Sequence, residues 1–244
     1  FLTIQLFNWG YREMYAGDIV ATARARNILV LRHNKADALL QHLSFALDWP
    51  FSIVSAGYPF RIQPGTLEKA ESAVNYHNSS LPVYGGLHST AFAMFFGEQE
   101  TGYTFHHMTQ DIDRGNILLT DSFPTGELSR VDVDFLKASA AGKRWGEVLD
   151  SMRHGEPGAE QVGPRSYWGL ESLRVFLTVD AATSDKPRWP DTVDIIRRKI
   201  EMFGHVRMQV GGRTALVTSV DGRGTPRRVY YLPRPLWAMV ARFA

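Results

Sequence analysis

Phe51-Ser52-Ile53-Val54-Ser55-Ala56-Gly57, then Leu67 to Ala73, then Val74-Asn75-Tyr76-His77, is the passage that decides the fold. The first segment is short, apolar and closed by a glycine turn, which predicts a buried strand. Leu67 to Ala73 predicts a short helix, and Val74 to His77 predicts the end of the next strand. The same alternation extends towards the amino terminus. Phe1 to Phe7 and Asn27 to Leu31 predict strands, and Tyr15 to Arg26 predicts a helix. A second helix is predicted over Ala36 to Leu47, with Leu39, Leu40, Leu43 and Leu47 on one face. Strands alternating with helices predict an α/β protein with a Rossmann-like, doubly wound, mostly parallel sheet. Ligands of such sheets sit beyond the carboxyl ends of the strands. Asn75, His77 and the loop Ala56-Gly57-Tyr58-Pro59 fall at such ends.

Towards the carboxyl terminus the pattern predicts an apolar helix over Thr90 to Gly97 and a strand pair at Tyr103 to Met108 and Ile117 to Asp121. One long helix is predicted from Val131 to Met152, with Trp145, Val148, Leu149 and Met152 on one face. His154 to Gly169 is rich in Gly and Pro and reads as a boundary loop. Beyond it, Asp191 is positioned to cap a helix carrying Val193, Ile196, Ile200 and Phe203. Three strands follow as a meander: Val206 to Val210, Ala215 to Val220 and Val229 to Leu232, turning at Gly211-Gly212 and Asp221-Gly222. The expected organisation is a main domain over 1–160, a linker over 161–189 and a small β-rich domain over 190–244.

Composition limits the function classes. The 244 residues are 44% hydrophobic and 21% charged, an ordinary globular balance. There is no cysteine, which excludes disulfides, thiolate metal sites and cysteine nucleophiles and fits a cytoplasmic protein. A formal charge of +2 does not advertise nucleic-acid binding. No apolar run is long enough to span a bilayer, and Phe1 to Phe7 is too short to read as a signal peptide.

Three segments carry chemistry: Asn75-Tyr76-His77-Asn78-Ser79-Ser80-Leu81-Pro82, Thr101-Gly102-Tyr103-Thr104 and Asp111-Ile112-Asp113-Arg114-Gly115. Their order and spacing resemble the N-x-H-x-S-x-L-P, T-G-x-T and D-x-D-x-G segments of the folate-dependent formyltransferases. That family includes the methionyl-tRNA, glycinamide ribonucleotide and sugar N-formyltransferases. Asn78 stands where many members carry proline, a departure expected to loosen the loop without removing a catalytic group. The family's catalytic domain also opens with a strand–helix unit ahead of the strand at Phe1, so the chain looks one unit short.

The resemblance implies transfer of a formyl group from 10-formyltetrahydrofolate to a primary amine. Such a reaction passes through an anionic tetrahedral intermediate. It needs a donor for the developing oxyanion and a group that carries protons between two nitrogens. Asn75 is the candidate donor, His77 the proton carrier and Asp113 the carboxylate that holds the imidazole's orientation, stabilises its cation or positions a proton-relaying water. Two residues apart on a strand, Asn75 and His77 face the same way. The resemblance further implies that the folate is held by Phe60, Arg61 and Ile62 and by Thr109, Gln110, Asp111 and Ile112, largely through their backbones.

His88, His106 and His107 lack the spacing of a metal site, so no metal is expected. His106 and His107 would face opposite ways on a strand, one of them towards the substrate pocket. The expected acceptor is a small amine such as a nucleotide-linked amino sugar. The basic residues Lys186, Arg188, Arg197, Arg198, Lys199, Arg223, Arg227 and Arg228 keep initiator tRNA open as an alternative. A non-catalytic folate-binding domain and a homo-oligomer also stay open.

Overall fold

The computed structural model describes residues 2–4, 19–31, 38, 40, 51–58, 61–179 and 192–231. The expected helix over Ala36 to Leu47, the folate candidate Phe60, and Lys186, Arg188, Asp191 and Leu232 lie largely or wholly outside these residues.

Strands β1 (Leu2–Ile4) and β2 (Leu29–Leu31) pair in parallel, joined through helix α1 (Ile19–Ala25). A second sheet has the order β3-β4-β6-β7, formed by β3 (Ser52–Ala56), β4 (Ser72–His77), β6 (Glu100–His107) and β7 (Ile117–Pro124). β3 and β4 are parallel, while β6 and β7 continue the sheet antiparallel. The architecture is a Rossmann-like α/β sheet with an antiparallel edge.

Local chemistry moves several boundaries. The short helix between β3 and β4 is α2 (Pro64–Leu67), not Leu67 to Ala73, because Pro64 supplies a preset φ at its first turn and sheet pairing begins at Ser72. The long helix is two, α4 (Arg130–Lys143) and α5 (Trp145–His154). At the break, Arg144 leaves helical geometry and its guanidinium bonds Asp121 of β7 at 2.8 Å.

Between β4 and β6 lie β5 (Gly85–Gly86) and helix α3 (Ser89–Phe96), and after α5 come β8 (Tyr167–Trp168) and α6 (Leu170–Leu177). Helix α7 (Val193–Phe203) is capped by the Thr192 hydroxyl, which accepts from the Ile195 N–H. The three-stranded antiparallel sheet of β9 (Val206–Val210), β10 (Arg213–Val220) and β11 (Pro226–Tyr230) follows it. β11 starts earlier than expected because the Asp221 carboxylate gathers the N–H groups of Arg223 and Thr225 and tightens the preceding turn.

Two cores set the site between them. Under the sheet, Val74, Tyr103, Phe105 and Leu119 pack against Ala141 and Val148 of α4 and α5. On the other side, Phe92 and Phe95 of α3 pack against Leu173, Phe176 and Leu177 of α6 and Phe203 of α7. Lys199, 3% exposed, places its ammonium over the Phe176 ring, and Arg198 lies over Phe95 and donates to the Met94 carbonyl. Among the described residues, no helix is long and apolar enough to cross a membrane.

Candidate active site

Alternation along β4 sorts its side chains. Val74 and Tyr76 join the aromatic core below the sheet. Ala73, Asn75 and His77 share the other face. The antiparallel register places His106 of β6 directly across from Asn75, and Thr104 across from His77. Asn75, His77 and His106 therefore converge on one patch of sheet.

Asp113 reaches the patch from the turn before β7. Its backbone is left-handed, φ 56°, a conformation that aspartate tolerates better than most residues. Gly115 then packs against the end of β6, where any Cβ would collide with the His107 carbonyl oxygen. The glycine of the D-x-D-x-G segment is thus a requirement of close approach. Asp113 is 7% exposed and takes the Gly86 N–H on Oδ2 at 2.7 Å. The Gln161 amide donates to the carbonyls of both Asp113 and Gly115, bracing the turn from behind.

The hydrogen-bond partners assign the tautomers. His77 Nε2 lies 2.9 Å from the Tyr84 carbonyl, which can only accept, so Nε2 carries the proton. In the neutral ring Nδ1 is a lone pair, 3.6 Å from Asp113 Oδ2. A proton arriving at Nδ1 converts this contact into a charge-assisted hydrogen bond. His106 is arranged similarly. Its Nδ1–H donates to the His107 carbonyl at 2.8 Å, leaving Nε2 to accept from the Asn75 amide at 3.2 Å, with Asp113 Oδ1 3.5 Å away. Among the described residues, no acceptor takes the second N–H of Asn75.

Burial lowers the His77 pKa below 6.5, although the Asp113 charge pulls it back up, so the ring rests neutral at pH 7. Burial opposes the Asp113 carboxylate, but attraction to His77 in its charged form, the His106 contact and the Gly86 N–H outweigh it and lower its pKa from the ordinary value. A neutral base thus sits beside a fixed negative charge.

A cleft of about 510 Å³ opens at the amino-terminal end of β4, walled by Leu67, Ala70, Ser72, Ala73, His107, Met108, Thr109, residues 114–116 and residues 155–157. Asn75, His77, His106 and Asp113 do not line it; Ala73 is two residues before Asn75 on β4. The volume lies in the range of small-molecule sites. Of the expected folate contacts, Thr109 lines the cleft and bonds the Asp111 carbonyl at 2.9 Å. Arg61 donates to the Gln110 carbonyl and ties the two folate-contact segments together. Ile62 is buried, while Asp111 and Ile112 are exposed.

Two expectations change. Asn78 does not loosen its loop: its amide donates to Asp134 at 2.7 Å and to Thr90 at 3.0 Å, and its oxygen accepts from the Tyr76 hydroxyl. His106, expected only as a possible pocket residue, is 2% exposed and touches both Asn75 and Asp113. The Thr104-Phe105-His106 alternation carried that signal, but only the antiparallel register reveals it. His107 points the other way, lines the cleft and bonds the Glu156 carbonyl.

Residues 25–130 match the sequence model of a family described as formyl transferase. The chain belongs to the formyl transferase family. GDP-perosamine N-formyltransferase of Brucella melitensis is 32% identical over 177 residues, which are 70% of this chain and 66% of that protein. Methionyl-tRNA formyltransferase of Lactococcus lactis is 34% identical over 54% of this chain and 42% of its own length. In structure, the chain resembles HypX from Aquifex aeolicus, determined in complex with tetrahydrofolic acid. The TM-score is 0.62, with 13% identity, covering 91% of this chain and 39% of that one. The two chains share their fold over more of this chain than the sequence match to the first relative covers. The chain spans about two thirds of the first relative and under half of the second.

Proposed function

We propose that this formyl transferase moves the formyl group of 10-formyltetrahydrofolate to the primary amine of a nucleotide-linked amino sugar. The observation that carries the reading is the convergence of Asn75, His77 and Asp113 on one face of β4, bridged by His106. The cleft fits the donor chemically. Leu67, Ala70 and Met108 offer apolar walls to a flat ring, and the adjoining loops offer backbone groups to its amide edge.

In this reading the acceptor nitrogen bonds to the formyl carbon, and the bond from that carbon to N10 of the folate breaks. The free N–H of Asn75 donates to the oxyanion formed on the way. His77 Nδ1 takes the proton released by the acceptor nitrogen, Asp113 stabilises the imidazolium, and the proton passes on to N10, so charge and atoms balance.

Acceptor size follows from where the cations are. Lys199 is buried against Phe176, Arg198 bonds the Met94 carbonyl, and Arg197 and Arg227 are engaged by Asp221. These residues hold the molecule together instead of presenting one phosphate-binding face, which favours a small acceptor over tRNA. The 32% identity to a GDP-perosamine N-formyltransferase supports the same choice. The test is a side-by-side assay with 10-formyltetrahydrofolate as donor and GDP-perosamine or charged initiator tRNA as acceptor. Formylation of the sugar alone is the expected result, and formylation of the tRNA alone would overturn the acceptor assignment.

A further inference from the structure

β8 lies parallel to β5, pairing Tyr167 with Gly85 and Trp168 with Gly86, the residue that anchors Asp113. Trp168 turns inward and stacks on Phe92 with ring centroids 4.0 Å apart. Alternation on β8 sends Tyr167 to the opposite face, and the Arg165 guanidinium reaches the Asp113 turn on that side.

The Tyr167 ring rests on two glycines. A Cβ on Gly85 would stand 3.3 Å from it, and one on Gly169 3.1 Å. That same Gly85 Cβ would lie 3.6 Å from Asp113 Cβ, so the ring and the carboxylate residue flank a single glycine. Yet Tyr167 is 49% exposed, an aromatic face left open beside a buried catalytic candidate. Arg165 is also exposed. Its guanidinium lies 3.5 Å from the Asp113 carbonyl, and among the described residues it has no carboxylate partner. Neither residue lines the cleft assigned to the donor.

We propose that Arg165 and Tyr167 form the acceptor subsite, with the Tyr167 ring under the apolar face of the amino sugar and the Arg165 fork on the diphosphate. The inference rests on the formyl-transfer reading above and deepens it. A guanidinium recognises phosphate oxygens in bidentate fashion. Two residues apart, their Cα atoms stand at most roughly 7 Å from each other, within the span from a pyranose ring to its glycosidic phosphate. The donor, entering along Ala73 and Met108, leaves this face to the second substrate.

The experiment compares R165A, Y167A and Y167F in the full chain against two acceptors: GDP-perosamine and the same amino sugar as a phosphate-free methyl glycoside. R165A is expected to raise KM for GDP-perosamine by about ten- to a hundredfold and for the methyl glycoside by less than about threefold. Y167A is expected to raise both KM values by about tenfold, and Y167F to restore them, since the ring and not the hydroxyl makes the contact. If R165A damages both acceptors equally, or lowers kcat at constant KM, it merely supports the Asp113 turn and the proposal is wrong. If the wild-type chain formylates no amine, the parent reading fails first. Titration of GDP alone then still decides the subsite: binding weakened in R165A upholds it, and binding equal to wild type removes it.

Discussion

Two polar clusters flank the loop that follows β4, and they are bonded to different standards. Behind the loop, Asn78, Thr90, Asp134 and Lys137 saturate one another. Asn78 donates to Asp134 at 2.7 Å, and Lys137, 0% exposed, donates to the Asn78 carbonyl at 3.0 Å and to Thr90. In front, Asn75, His77, His106 and Asp113 meet one another only at 3.2 to 3.6 Å. Their firm bonds lie at their backs, to the Tyr84 carbonyl, the His107 carbonyl and the Gly86 N–H. A saturated cluster is a fastener. A cluster gripped from behind, with its forward atoms loosely matched, can accept a proton or an oxyanion without first breaking a strong bond. Asp113 in the front cluster and Tyr84 behind it are both non-glycine residues held at φ 56°.

The largest expected effects break the front cluster. His77→Asn and Asp113→Asn should each lower kcat by about 10²- to 10⁴-fold in the formyl-transfer assay, while 5-formyltetrahydrofolate still binds His77→Asn. Either variant keeping near-normal turnover would falsify the assigned roles. The pH profile sharpens the same point. Wild-type activity should fall on the acid side as His77 takes up a proton below pH 6.5. Asp113 raises that pKa, so the residual activity of Asp113→Asn should show its acid limb at lower pH.

Asn75→Ala should cost about 10²- to 10³-fold in kcat, the effect of removing one oxyanion donor. His106→Phe should cost less, about tenfold, because His106 only orients Asn75 and faces Asp113. His106→Gln, which keeps an acceptor, should recover part of the loss. An equal loss in both variants would count against an orienting role.

The rear cluster should respond in stability. Thr90→Val keeps the shape but removes the hub, and should lower the unfolding free energy by about 1–3 kcal/mol in urea melts, with kcat within about threefold of wild type. The smallest effect is a slope. Burial lowers the Lys137 pKa from 10.5 to about 8 in the folded chain. Below pH 8 both states bind the proton and the folded state bears the full cost of the buried charge. Between pH 8 and 10.5 the unfolded state binds it more, so this cost is relieved as pH rises. The stability of wild type relative to Lys137→Met should therefore increase from pH 7 to pH 10, and a flat difference would show that Lys137 is not strained.

What the sequence determined by itself was the local grammar. Glycine-closed apolar runs alternating with helical periods specify the α/β elements, since side-chain period and backbone freedom are local properties. The N-x-H spacing likewise put Asn75 and His77 on one face, because strand geometry permits nothing else. Only the tertiary structure decided the rest. The antiparallel turn of β6 brought His106 opposite Asn75, and a left-handed Asp113 over a glycine with no room for a side chain aimed the carboxylate. The long helix split at Arg144 to meet Asp121, and Asn78, which local chemistry made a loose spot, became pinned by side chains 12 and 56 residues away. Pairing register, close approach and buried charge depend on segments distant in sequence, so no window of residues contains them.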